Sequence, residues 1–139
     1  MSDGGTSDIE RLGLEPHPEG GWFAETWRSP VEVTLPDGRV RATATLIHFH
    51  LPAGESSAWH AVASDELWIA QSGSVTLELA GAGEQPGAEV VTHTCAVDAE
   101  PQVLVPAGVW QRTVPSDADA LVSCLVSPGF DFADFRLEG

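Results

Sequence analysis

The chain has 139 residues, enough for one domain with one hydrophobic core and too few for a two-domain enzyme. Its 21 acidic residues against six basic ones give a formal net charge of −15, which opposes binding to nucleic-acid backbones and to anionic membranes. All six cations are arginine, and lysine, tyrosine and asparagine are absent, so Schiff-base chemistry, a tyrosine proton donor and N-glycosylation are excluded together.

The apolar fraction of 42% is ordinary for a globular protein, and no apolar run approaches the roughly 18 residues of a membrane span. The acidic, polar N-terminus lacks the basic start and apolar stretch of a secretory signal, and a cytoplasmic location is expected. Residues 1–6 read as a disordered tail, followed by a single domain over 7–139. Ser7-Asp8-Ile9-Glu10 has the form of a capping box and Gly13 is a plausible stop, so one short helix is predicted between them. From Trp22 onward, short apolar or alternating runs separated by Pro and Gly predict strands over 21–29, 31–35, 39–51, 57–62, 66–71, 74–80, 88–96, 102–105, 110–114 and 120–127. Val75, Leu77 and Leu79 alternate with Thr76 and Glu78, which gives that strand one buried and one wet face. Pro36-Asp37-Gly38 is a tight-turn signal, and residues 81–87 form a longer, mobile loop. Cys95 and Cys124 each sit in an apolar run, where a thiol behaves as a small hydrophobe, and no disulfide is expected. Ten short strands suit an all-β jelly roll.

The densest polar cluster among the strands runs from Gly54 to Glu66. Residues two apart share a face of a strand, so His60 points the same way as Ala58 and Val62. The next strand returns after the turn at 63–65, which can set Glu66 against His60 on the inner face. A carboxylate on one imidazole nitrogen fixes the tautomer and raises the basicity of the other, making a general base. Isomerisation or epimerisation next to a carbonyl needs such a base and a proton donor opposite it. Without tyrosine, that donor is Glu25, another carboxylic acid or a water.

Gly54, His60, Glu66 and Gly73 resemble the first motif of the cupin superfamily, with Val62 where its second histidine belongs; Pro106-Ala107-Gly108-Val109-Trp110-Gln111 resembles the second motif, with Gln111 in place of the last histidine. The stretches 12–23 and 25–29, Ser64-Asp65-Glu66-Leu67-Trp68, 105–110 and 127–135 are similar to the signatures of the small cupin-5 group, and the likeness spans the chain from Leu12 to its end. The resemblance implies a double-stranded β-helix, the jelly-roll cupin barrel, commonly a homodimer formed by strand exchange near the N-terminus. It also implies likeness to sugar-nucleotide epimerases and germins. Two of the four usual metal positions are kept. His60, Glu66 and Gln111 are therefore the set that would hold a divalent metal in the metal-dependent alternative, while no cofactor is expected in the main reading.

That main reading is a small-molecule-binding barrel acting as a metal-independent isomerase or epimerase on a sugar-like or carbonyl metabolite. His60 is its base, Glu66 the orienting partner and Gln111 a polar contact. Trp110 is the wall candidate, with Glu25 and Arg28 as further binding residues, since a guanidinium grips carboxylate or phosphate in bidentate fashion. A non-catalytic metabolite-binding barrel is the alternative. His48 and His50 share one face of their strand, and if Thr45, Ile47, Phe49 and Leu51 form the core face, both histidines point outward to solvent or a partner subunit. His93, between two threonines, is read as a surface residue, and His17-Pro18-Glu19-Gly20-Gly21 as a bend leading into the first strand with a place on the pocket rim.

Overall fold

Alternating apolar residues on short strands bury one face only when a second sheet covers it, and the chain solves this with two antiparallel sheets facing each other. The computed structural model describes residues 4–138. Its elements in chain order are α1 (Gly4–Leu12), β1 (Glu15–Pro16), β2 (Trp22–Arg28), β3 (Glu32–Thr34), β4 (Val40–Ala42), β5 (Thr45–Leu51), β6 (His60–Val62), β7 (Asp65–Ser72), β8 (Ser74–Leu79), β9 (Val91–Ala96), β10 (Gln102–Val105), β11 (Gln111–Val114), β12 (Ala120–Ser127), a 3₁₀ turn (Phe132–Asp134) and β13 (Phe135–Leu137). One sheet has the order β1-β2-β5-β12-β7-β10 and the other β13-β6-β11-β8-β9, while β3 and β4 form a separate hairpin. This is the jelly-roll barrel expected from the sequence.

The expected strand over 39–51 is two strands, because the chain leaves the β3–β4 hairpin at Thr43 and enters the main sheet at Thr45. β1 and β13 are additional and span two and three residues, too short for an alternation to register. The helix takes in Gly4–Thr6 and ends at Gly13, which adopts φ +65° while Leu14 N–H donates to Ile9 O at 3.0 Å and Gly13 N–H to Glu10 O at 3.3 Å. Residues 1–3 of the expected tail lie outside the described residues, as does Gly139.

The core lies between the sheets. Phe49, Trp68, Val103, Val105, Val122 and Cys124 from one sheet meet Val75, Leu77 and Cys95 from the other, and both thiols are free and buried. Thr45, Phe49 and Leu51 are buried on this inner face, which puts His48 and His50 on the outer one. His50 nevertheless does not meet solvent: α1 covers it, it is 0% exposed, and its Nδ1 lies 3.6 Å from Asp8 Oδ2. The expectation of an outward histidine in water or at a subunit contact is corrected by the helix lying on that sheet.

After β12 the chain runs back to the opposite sheet and straps the two together. Gly129 N–H donates to Ala42 O, Phe130 N–H to Thr45 Oγ1 at 2.9 Å, and Ala63 N–H to Asp134 O. The Asp134 carboxylate, nearly buried, takes Arg39 Nη1 at 2.8 Å and Arg41 Nε and Nη2 at 2.8 and 2.9 Å. Hydrogen bonds from Arg41, ahead of those from Arg39, hold its carboxyl below the usual range. Asp134→Ala is expected to cost about 2 kcal/mol, less than a fully buried pair because Arg39 stays partly in water, and a denaturant midpoint unchanged from the native chain would refute the strap.

Candidate functional site

Three strands and one turn build the interior end of the barrel. β6 and β11 are neighbours with His60 and Gln111 in register, so both side chains point inward side by side. β7 supplies Glu66 and, two residues on, Trp68 on the same face. All four are buried. The turn between β1 and β2 adds His17 and Glu19.

One hydrogen-bonded chain fixes the orientation of Glu66. The Trp68 indole N–H can only donate, and it donates to Gln111 Oε1 at 2.9 Å. The amide nitrogen of Gln111 is thereby turned to Glu66, donating to its Oε1 at 2.9 Å. Burial pushes the Glu66 carboxyl up to about 7, against smaller downward contributions from Gln111 and the Cys124 thiol. Cys124 itself is pushed well above the ordinary thiol range by burial and by the charge of Glu66.

The carboxyl that meets His60 is Glu19. His60 Nδ1 lies 2.8 Å from the Ala58 carbonyl and must donate to it, which leaves Nε2 a lone pair in the neutral ring. That Nε2 is 3.2 Å from Glu19 Oε1. His17 Nδ1 is 3.3 Å from the same oxygen, and it accepts the Glu19 backbone N–H at 3.1 Å, so it too is a lone pair. A proton on that oxygen would meet the free His60 lone pair, while the His17 lone pair is already taken by the Glu19 backbone N–H. Burial and the nearby charge of Glu66 agree with this, holding Glu19 well above the usual carboxylate range, with Ser57 opposing them. Burial lowers both His17 and His60 to about 4, helped for His17 by His60 and opposed for His60 by the Ala58 carbonyl. Glu19 thus stands between two imidazoles, and burial favours the uncharged form of all three groups.

A cavity of about 30 Å³ opens beside this network, room for about two waters. Glu19 and Glu66 line it together with His17, Thr45, Cys124 and aromatic rings, and His60 stands behind Glu19. The expected His60–Glu66 pair is therefore not formed: both residues turn inward, but Glu66 bonds Gln111 and His60 bonds Glu19. Trp110 faces away from the cavity, in a small outer cluster with Ala61, Ala80 and Trp59, its indole donating to Gly83 O at 2.9 Å. As the residue next to inward-facing Gln111 it takes the opposite side, so it does not line this cavity but an outer pocket with Glu84, Gln85 and Arg136. Glu25 and Arg28 pair with each other at 2.7 Å on the exposed barrel end, where Arg28 also donates to Phe130 O. His93 is half-buried and pairs with Glu100 at 3.0 Å.

Glu19 was invisible as a site residue in the sequence because it sits in a bend. The signal lay in the glycines after it. Gly20 and Gly21 have φ +108° and +79°, and a Cβ on either would come within 2.4 Å of Ser56 O or 2.6 Å of Phe49 Cζ. Such a turn pins its preceding side chain against the interior.

The cupin metal set does not fit these side chains. Gln111 presents its amide nitrogen, which carries no free lone pair, toward Glu66, and His60 has one nitrogen on a carbonyl and the other 3.2 Å from Glu19 Oε1. Among the described residues no group of three or more His, Cys, Asp or Glu side chains converges on one point.

The raised acids and lowered histidines act oppositely on stability. Below pH 6.5 the unfolded chain binds the histidine protons that the fold refuses, so stability rises with pH from about 4 to 6.5. Above about 4.5 the folded chain keeps the Glu66 proton that the unfolded chain loses, so stability falls with rising pH through about 7, by about 3 kcal/mol in all. The Glu66→Gln chain is expected to lack that fall. Thermal denaturation of both chains from pH 5 to 8 checks this; parallel curves would sink it.

Comparison with known proteins agrees with this architecture. The sequence profile of the Cupin_5 family, described as cupin superfamily (DUF985), matches residues 7–138. A hypothetical protein from Leishmania major is 30% identical, with 96% of this chain and 86% of that chain covered and a TM-score of 0.85. A protein from Shewanella oneidensis is 34% identical, with 100% and 86% covered and a TM-score of 0.84. A Cupin 2 conserved barrel domain protein from Salinispora arenicola is 20% identical over 89% of this chain and 86% of its own, at a TM-score of 0.58, a likeness of fold alone. No curated protein matches the chain. No helix among the described residues is long and apolar enough to cross a membrane.

Proposed function

The chain belongs to the Cupin_5 family of the cupin superfamily, and within that barrel we propose a metal-independent acid–base site that isomerises or epimerises a small carbonyl metabolite. The observation that carries this reading is Glu66, whose carboxyl burial pushes up to about 7 and Gln111 holds on the wall of a cavity, with a second carboxyl raised by burial, Glu19, on the same wall. Two carboxyls whose surroundings set different protonation states divide the work of acid and base.

Glu66, as carboxylate, takes the proton from the carbon next to the carbonyl. The electron pair of that C–H bond forms the C=C bond of an enol as the carbonyl oxygen receives the Glu19 proton, leaving a Glu19 carboxylate that accepts the hydrogen bond of the new enol O–H. Glu66 then delivers its proton to the former carbonyl carbon as the Glu19 carboxylate takes the proton of the neighbouring hydroxyl, which moves the carbonyl by one carbon and restores both groups, so nothing is consumed. His60 is then a positioning residue for Glu19, and Glu66 takes the base role that the sequence reading gave to His60.

The test is proton exchange. Small hydroxyketones and hydroxyaldehydes incubated with the chain in D₂O containing a chelator are expected to lose the α-proton signal faster than in its absence. Exchange that appears only after a metal is added, or that never appears across the panel, would overturn the reading.

A further inference from the structure

The cavity has a charge character that narrows what it accepts. Every arginine of the chain is engaged elsewhere: Arg11 on Asp8, Arg28 on Glu25, Arg39 and Arg41 on Asp134, Arg112 on Glu78, and Arg136 over the ring of Trp110. With no lysine in the sequence, the cavity has two acids and no cationic side chain. A carboxylate or phosphate group would enter without a counter-charge and against Glu66.

The rest of the lining combines aromatic rings with the aliphatic side chains of Ile47, Val62 and Val126 and with His17, Thr45 and Cys124. Phe23, Phe49, Trp68 and Phe130 share the cavity with Glu19 and Glu66, and the Phe49 and Trp68 rings stand nearly perpendicular, at 79° with centroids 5.6 Å apart, forming two walls of a corner. Ring faces attract a cation through their quadrupole, and most strongly where water is excluded. A neutral hydroxyl gains nothing from them. The volume of about 30 Å³ admits a head group of about two heavy atoms, with the rest of any ligand outside.

We propose that this cavity recognises a small organic ammonium group, a primary amine or its methylated form, on the ligand, its N–H donors on the Glu19 and Glu66 oxygens and its charge against the Phe and Trp rings. The proposal rests on the acid–base reading only in using the same cavity. It makes the ligand an amine rather than an organic acid, and while the ammonium group is bound both acids hold it instead of transferring protons.

Methylammonium chloride is the probe, with sodium acetate as the anion and methanol as the uncharged control, at equal ionic strength. The readout is the indole N–H resonance of Trp68, assigned by its loss in Trp68→Phe, because that proton lies two hydrogen bonds from Glu66. Methylammonium at millimolar concentration is expected to shift it saturably. Glu66→Gln is expected to weaken the effect at least about tenfold, and Phe130→Leu, which keeps both acids, by about threefold. Saturable binding of acetate or methanol without methylammonium would overturn the proposal, as would no shift with methylammonium or an equal shift in Glu66→Gln. Methylammonium binding by a chain with no α-proton exchange supports the ligand class while removing the acid–base role. Exchange of an uncharged hydroxyketone with no methylammonium binding does the reverse.

Discussion

Glu66→Gln is expected to lower turnover of any isomerised carbonyl compound by about 10² to 10⁴-fold, the usual contribution of a positioned proton-transfer group. The substitution is close to isosteric, and its neighbours accept it. Trp68 fixes Gln111 so that an amide nitrogen faces position 66, and the oxygen of a glutamine there receives that donor as the carboxylate does. What disappears is the basic oxygen on the cavity wall and the charge that burial makes costly. The variant is therefore expected to fold, and to be more stable than the native chain above pH 7 while being catalytically weak. Loss of activity with gain of stability separates a catalytic role from a structural one, because a residue that merely satisfied a buried network would lose both or neither. Steady-state rates and thermal melts at pH 8 check the pair of effects. A rate loss under tenfold would remove Glu66 from proton transfer.

The barrel was legible in the sequence where alternation is long enough to be unambiguous. β8 reads correctly residue by residue: Val75 and Leu77 are buried, and Thr76 and Glu78 face the other way. The inward direction of His60 followed from strand parity, and Gly13 ended the helix as its position suggested. Parity also places a neighbour on the opposite face, which is why Trp110 belongs outside once Gln111 is inside. The pairing inside the barrel was not legible, because parity says which face a side chain takes and not which of several inward groups it touches. His60 and Glu66 come from different sheets, and the chain between β1 and β2 folds a third polar residue into the space between them. Burial of His50 beneath α1 has the same origin: a strand pattern carries no information about a helix packed on its outer face.

Gly20→Ala is expected to be strongly destabilising, because two costs add there. Gly54 provides the reference. Its φ of +82° is unfavourable for alanine, yet a Cβ there meets nothing within 4 Å, so Gly54→Ala carries the backbone cost alone, about 1 kcal/mol. Gly20 has φ +108°, and its Cβ would lie 2.4 Å from Ser56 O and 3.4 Å from Ser57 Cα. These are backbone atoms, which cannot swing aside as a side-chain tip can. The same strand of loop is fixed from both ends: Ala58 N–H donates to Glu19 O at 2.7 Å, and the Ser57 N–H donates to Thr113 Oγ1 at 2.7 Å. Relief of the clash must therefore break one of these bonds or move the turn, for a total of about 3 to 5 kcal/mol. The turn that moves carries Glu19, so the oxygen between the two imidazoles moves with it. A denaturant series on Gly20→Ala and Gly54→Ala measures the difference, expected at 2 kcal/mol or more. His60 imidazole resonances in the Gly20→Ala chain report the second consequence, since a ring less buried beside the shifted turn titrates nearer its ordinary value than the native one. Equal stabilities for the two variants would mean that the turn yields freely, and Glu19 would then owe its place to something other than the glycines beside it.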